Sequence, residues 1–262
     1  MAFDTRKHYH EEELDPCLLV RTYASAEVHS DFRRNFVEYP MKTLFDFFSS
    51  DIVKGDTLMD FSIGPSMCFL MSAADYFKEI ITLESSEACK IETEKWLRND
   101  PDAIDWSDSA MFACELKGER DQWKEQQEKV RGAVKRVIKW DVTQDDPVSH
   151  TVLPEVDCLS CVWYLHVLSK HHDMLTSYLK KLSSFLKVGG HMILFFALNM
   201  SYYWVGEHTF FSLNCSEEVI LKALRDAGCS LVMYEKNESK LDTHMVDLEH
   251  LGHFVARKER EL

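Results

Sequence analysis

Three carboxylates stand at the ends of three successive apolar runs. Asp60 lies in Thr57-Leu58-Met59-Asp60-Phe61-Ser62, Glu84 closes the run Glu79 to Glu84, and Asp141 sits in Trp140-Asp141-Val142. Short apolar runs bounded by turn residues read as buried strands. An open parallel sheet binds ligands beyond the carboxyl ends of its strands, where strand order reverses. An acid after the second strand can hydrogen-bond a ribose diol there, and Glu84, 24 residues after Asp60, suits that role. An acid after the third strand can reach an adenine amino group. Each acid also has a plain structural reading: Asp60 as a turn former, Glu84 as an acid favoured by a helix N-terminus, Asp141 as a loop residue. The loop Asp60-Phe61-Ser62-Ile63-Gly64-Pro65 has one glycine and lacks G-x-G-x-x-G. That counts against a pyrophosphate cradle, and so against a nicotinamide dinucleotide. S-adenosylmethionine carries no phosphate and asks less of the loop.

The elements that must position these acids alternate along the chain. After residues 1–50, mostly helical, come a strand at 57–62, a helix over Met67 to Phe77, a strand at 79–84 and a helix over Ser85 to Arg98 capped by Ser86. Strands follow at Val137 to Val142, Val156 to Trp163 and His191 to Leu198, with a helix over Met174 to Leu186 closed by Lys187 to Gly190. A helix over Ser216 to Ala227 ends at Gly228, and two strand-like runs, Ser230 to Tyr234 and His253 to Lys258, finish the chain. This pattern predicts an α/β fold: a mostly parallel seven-stranded sheet, helices on both faces, and a terminal antiparallel hairpin. Residues 99–136, with a polar helix over Glu115 to Val134, break the alternation and read as an insertion. The whole is one domain, 1–262, with a helical lid at about 1–50.

Composition limits the partners. The 262 residues carry a net charge of −14, which disfavours a phosphate backbone. The basic run Lys129 to Lys139 reads as the solvated face of a helix. No apolar stretch reaches membrane-spanning length and no signal-peptide core opens the chain, so a cytosolic protein is expected. Eight scattered cysteines fit that compartment as free thiols. Cys158-Leu159-Ser160-Cys161 lacks a second pair at zinc spacing and reads as strand. His8, His10, His171 and His172 lack supporting ligands and read as surface or capping residues, so no metal is expected.

Longer motifs carry a resemblance. They include Lys54-Gly55-Asp56, Phe77-Lys78-Glu79-Ile80, Glu94-Lys95-Trp96-Leu97 followed by Ala103 to Ser107, Leu153 to Cys158, Gly189-Gly190-His191, Ser201-Tyr202-Tyr203 and Val255 to Lys258. Over about residues 20–258 the chain resembles the nicotinamide, phenylethanolamine and indolethylamine N-methyltransferases. The resemblance implies a Rossmann-like class I methyltransferase fold, a monomer, S-adenosylmethionine as cofactor, and methyl transfer to the nitrogen of a small aromatic or aryl-alkyl amine. It places Tyr23, Ser62, Gly64, Ser66, Cys89 and Val162 with Asp60 around the cofactor. Glu84 takes the ribose-binding place, and Asp141 and Val142 the adenine side. The family's first loop glycine is here Ser62. Leu18 and Cys68 stand for cofactor-contacting tyrosines, and Cys89 for an asparagine. These departures motivate a second reading, a family member weakened in catalysis that acts as a binding or regulatory protein.

Methyl transfer from a sulfonium is an in-line displacement that needs a positioned acceptor with a free lone pair, and an alkylamine must first lose a proton. The resemblance puts His166 where relatives carry an acid, as a candidate proton acceptor, or else as a polar residue on a helix. Asp247 aligns with an amine-contacting acid, or is a solvated loop acid. Phe196 replaces an aspartate that anchors a carboxamide, or is a core aromatic. Tyr202, Tyr203, Trp204 and Ser212 are candidate pocket walls suited to cation–π contact, or simply pack their segment.

Overall fold

A computed structural model of the protein describes residues 6–9, 14–25, 30–50, 52–141, 144–148, 151–237, 241 and 243–261. Val142, expected beside the adenine, lies outside them, as does His10.

Seven strands form the main sheet: β1 (Thr57–Asp60), β2 (Glu79–Glu84), β3 (Val134–Lys139), β4 (Val156–Val162), β5 (Leu186–Leu198), β8 (Cys229–Asn237) and β9 (His250–Lys258). Between β5 and β8 in sequence, β6 (Tyr202–Val205) and β7 (His208–Phe211) make a separate antiparallel hairpin. The main sheet runs β3-β2-β1-β4-β5-β9-β8. Its first five strands are parallel, and β9 enters antiparallel between β5 and β8. Order therefore reverses between β1 and β4, and their carboxyl ends open the ligand crevice expected of such sheets. Helices cover both faces of this sheet. Local chemistry sets several of their ends. Ser86 and Ser216 accept the backbone N–H of Cys89 and Val219 as N-caps, and the His171 ring caps the helix His172–Ser184 through the Met174 N–H.

Several boundaries differ from the sequence reading. Met67 to Phe77 is not an α-helix but two 3₁₀ turns, Met67–Leu70 and Ala73–Asp75. The first of these turns is buried on every side, so packing rather than an amphipathic face sets its course. The polar stretch from Glu115 is two helices, Ser107–Leu116 and Trp123–Ala133. They part where Lys117 turns to reach Asp75 at 2.7 Å, and Lys129 on the second helix meets the same carboxylate at 3.0 Å. The third strand starts at Val134, so the insertion ends at Ala133, and the basic run continues from that helix into an edge strand. Charged side chains on an edge strand guard it against pairing with another chain, which masked the strand in the sequence. Finally, β5 begins at Leu186. A Cβ on Gly190 would lie 2.9 Å from the Asp157 carbonyl oxygen, so only glycine lets β5 approach β4 there.

Residues 6–9 are not part of a helical lid. Lys7 pairs with the β6–β7 hairpin, donating its N–H to Thr209 O at 3.0 Å and accepting from Phe211 N–H at 2.7 Å. Helices follow at Pro16–Tyr23 and Tyr39–Ser49.

Candidate functional site

Asp60 closes β1, Glu84 closes β2 and Asp141 lies two residues beyond β3, and each has different company. Asp60 is buried. It accepts hydroxyl hydrogen bonds from Ser62 at 2.8 Å and Ser160 at 2.6 Å, and the Ser62 N–H at 3.3 Å. Burial raises its pKa to about 6 against the pull of those bonds. Ser62 also accepts the Val162 N–H at 3.0 Å, which ties the loop after β1 to the end of β4. Its backbone is not left-handed, so the Cβ at this position carries no backbone strain. Gly64 carries the left-handed turn at φ +65.

Glu84 is 4% exposed. Its Oε1 accepts the Ser86 N–H at 2.9 Å and the Tyr164 hydroxyl at 3.3 Å. Burial outweighs these bonds and the nearby Lys139 charge, and lifts the carboxyl to about 8, so it is mostly protonated at neutral pH. Asp141 follows β3, half-buried, with its N–H bonded to Pro147 O at 2.8 Å. Between these acids stand aromatic rings. Phe61 lies 4.7 Å from Trp140 and 4.8 Å from Tyr164, and Tyr9 meets Tyr164 edge-on at 5.1 Å. All four are buried.

A cavity of about 640 Å³, counting the space open to solvent, lies on the other side of the β1 and β4 ends. Tyr23, Ser66, Trp106, Trp163, His166 and Tyr203 line it with aliphatic side chains, and none of its described lining residues is a carboxylate. Trp163 and Tyr164 divide the two regions. Trp163 takes a left-handed φ of +57, costly for a bulky side chain, and joins the cavity wall with its indole N–H on Phe36 O at 2.9 Å. The next residue, Tyr164, goes to Glu84.

The expected pocket residues divide accordingly. Tyr23 lines the cavity and donates its hydroxyl to Trp204 O at 2.8 Å, and Ser66 lines it while bonding back to Ile63 O. The Tyr203 hydroxyl and His166 Nδ1 are buried there without hydrogen-bond partners among the described residues. Burial drives the His166 pKa down to about 3, below the neutral range in which a titrating proton acceptor was expected. Asp247 accepts the backbone N–H of Ser201 and Tyr202 and the Ser201 hydroxyl, and so anchors the start of the hairpin; its neighbour Val246, not Asp247, is among the described lining residues. Phe196 is fully buried between His166 and Phe254, as a core aromatic. Tyr202 donates to His244 O, Trp204 stacks edge-on to His244, and Ser212 bonds Ser201 O through its N–H, so none of the three borders the cavity. Cys89 is buried with its thiol 3.5 Å from the Tyr9 hydroxyl, and Val162 is buried in the strand end. The sequence reading did not single out Trp106, Trp163, Tyr9 or Tyr164. Trp106 alone had a signal, as part of a segment shared with the family.

The polar groups present suit an adenosine sulfonium: a carboxyl after β2, an acid after β3, and an uncharged, aromatic-walled cavity beside the turn after β1. Sheet order and crevice together define a class I S-adenosylmethionine-dependent methyltransferase. The N-methyltransferase NodS from Bradyrhizobium japonicum, solved with S-adenosylhomocysteine, superposes with a TM-score of 0.56 at 11% identity over 95% of this chain and 100% of its own. Magnesium protoporphyrin IX methyltransferase from Synechocystis, solved with S-adenosylmethionine, gives 0.56 at 12% identity over 93% and 90%. At such identities the likeness establishes the fold. Residues 3–259 match the NNMT/PNMT/TEMT family, and the chain belongs to it. It is 40% identical to nicotinamide N-methyltransferase of Sus scrofa over 83% of both chains. It is 33% identical to indolethylamine N-methyltransferase of Mus musculus over 85% of this chain and 84% of that one. The protein is thus an S-adenosylmethionine-dependent N-methyltransferase. The alternative of a binding protein without catalysis gains no support from these relatives.

Proposed function

We propose that the acceptor is a small, flat heteroaromatic amine that is neutral at physiological pH, with a ring nitrogen whose lone pair is already free. One observation carries this reading. The cavity offers no described carboxylate, and its histidine stays uncharged. An alkylammonium would be buried there without a counter-ion, at a cost of several kcal/mol. A neutral ring needs no deprotonation, only a place between Trp106, Trp163 and Tyr203, with the His166 Nδ1 and Tyr203 hydroxyl as polar partners. Phe196 in place of a carboxamide anchor points away from strict dependence on a carboxamide.

In this reading Glu84 holds the ribose, Asp141 the adenine side, Asp60, Ser62, Gly64 and Val162 frame the loop, and Tyr23 and Ser66 face the methionine end. The cofactor supplies the methyl group. Methylation is assayed with pyridines and quinolines against tryptamine and phenylethanolamine. At least a tenfold preference in kcat/KM for the neutral rings is expected, and equal or better turnover of the alkylamines would sink the proposal. We further propose a cytosolic monomer that does not engage nucleic acid. Eight free cysteines and the net charge of −14 support it, and sedimentation together with cell fractionation tests it.

A further inference from the structure

We infer that Tyr9 and Tyr164 form a gate that fills the nucleoside half of the crevice and must leave before S-adenosylmethionine binds. The inference rests on the placement of the ribose at Glu84. Tyr164 stands there as a ribose hydroxyl would, donating to Oε1 at 3.3 Å. Its hydroxyl is also bonded to Ser85. Tyr9 crosses the gap from one wall to the other. Its oxygen lies 3.5 Å from Cys89 Sγ, in the first turn of the helix after β2, and 4.0 Å from where a Cβ would sit on Gly64, in the loop after β1. With Phe61 and Trp140 beneath, the two rings leave the carboxyl dry.

The attachment of Tyr9 suits a part that lifts. The strap that carries it lies along the hairpin through the two Lys7 backbone bonds, and Arg6 donates to Ser201 O at 2.6 Å. These backbone contacts are made to the separate hairpin and not to the main sheet, so lifting the strap uncovers the buried Tyr9 ring while the seven strands stay paired. Tyr164 begins a short helix, and its hydroxyl bonds are of a kind that a ribose diol replaces. A closed gate lowers the apparent cofactor affinity by the fraction of molecules that stand open. Cys89, through its contact with the Tyr9 hydroxyl, then belongs to a filter on cofactor entry.

Calorimetry and stopped-flow binding of S-adenosylhomocysteine test the gate on the full chain. Tyr9→Ala and Tyr164→Ala are expected to bind at least tenfold tighter than the parent through faster association, and Tyr164→Phe about threefold tighter. Equal or weaker binding by all three overturns the gate, because the rings then belong to the ligand's own site. Hydrogen exchange on the unaltered protein gives a readout that needs no variant. Saturating ligand is expected to speed exchange at the Lys7 and Phe211 amides, and slower or unchanged exchange overturns the gate. Glu84→Ala separates the two claims. At least fivefold weaker binding is expected. Unchanged binding removes the ribose placement and the gate with it, whereas weaker binding without tightening in the tyrosine variants removes the gate alone.

Discussion

The Ser62 hydroxyl donates to Asp60 Oδ1 at 2.8 Å and accepts the Val162 N–H at 3.0 Å, so one side chain joins two strand ends across the switch point. At a position where the family resemblance implies a glycine, this chain has a clasp. Ser62→Gly removes a hydrogen bond from a buried acid, leaves the Val162 N–H without its partner, and adds chain entropy. A loss of about 1–3 kcal/mol in unfolding free energy is expected by urea titration. A stability unchanged within error would mean that the clasp is incidental.

Buried Glu84 and Asp60 make stability depend on pH. Burial raises Glu84 from the usual 4.5 to about 8 and Asp60 from 3.8 to about 6. Across those windows the folded chain keeps protons that the unfolded chain has released. Their contribution is therefore fully present below about pH 4 and is lost as pH rises, through about 6 for Asp60 and about 8 for Glu84. Glu84→Gln is expected to flatten the fall in melting temperature between pH 6 and 8 and to reduce its slope to roughly half between about pH 5 and 6, where Asp60 still contributes. The same slope in the variant would contradict the assignment.

His166 does not titrate near neutrality, since burial holds it at about 3. The kcat/KM profile for a neutral heteroaromatic substrate is expected to show no inflection between pH 6 and 8 that His166→Gln removes. An inflection near 6.5 that vanishes in the variant would restore the histidine as a working base.

Asp247 holds the start of the hairpin through Ser201 and Tyr202. Asp247→Ala is expected to cost about 1–3 kcal/mol of stability, because charged hydrogen bonds to backbone donors are lost. KM should stay within about threefold, as no substrate contact goes with it. A tenfold rise in KM with stability intact would place the carboxylate on the amine.

Trp163 keeps a left-handed backbone at φ +57 although its side chain is large. Trp163→Gly relieves that strain, worth about 1–2 kcal/mol, but removes a buried indole whose deletion typically costs about 3–5 kcal/mol. A net loss of stability is expected, together with a raised KM as the cavity wall disappears. A variant as stable as the parent would show that the indole contributes little.

The alternation of apolar runs and helical segments was enough to read the sheet, because a strand buried on both faces must be largely apolar along its length, as Met192 to Leu198 is and as Ile80 to Leu83 is apart from Thr82. It also placed Asp60, Glu84 and Asp141 at strand ends, where chain order alone puts them. The cap residue Ser86 was legible for the same local reason. What surrounds those acids was not legible. Phe196, Tyr203 and Asp247 carry the same chemistry whether they face a substrate or hold up a wall, and only the packing of β5, β9 and the hairpin assigns each its side. Tyr9 and Glu84 are 75 positions apart in the chain, and a long-range meeting leaves no mark in local pattern. The backbone turn at Trp163, which sends consecutive aromatics to opposite sides of the crevice, is a conformation that no rule of residue type favours. It exists because the surrounding core holds it.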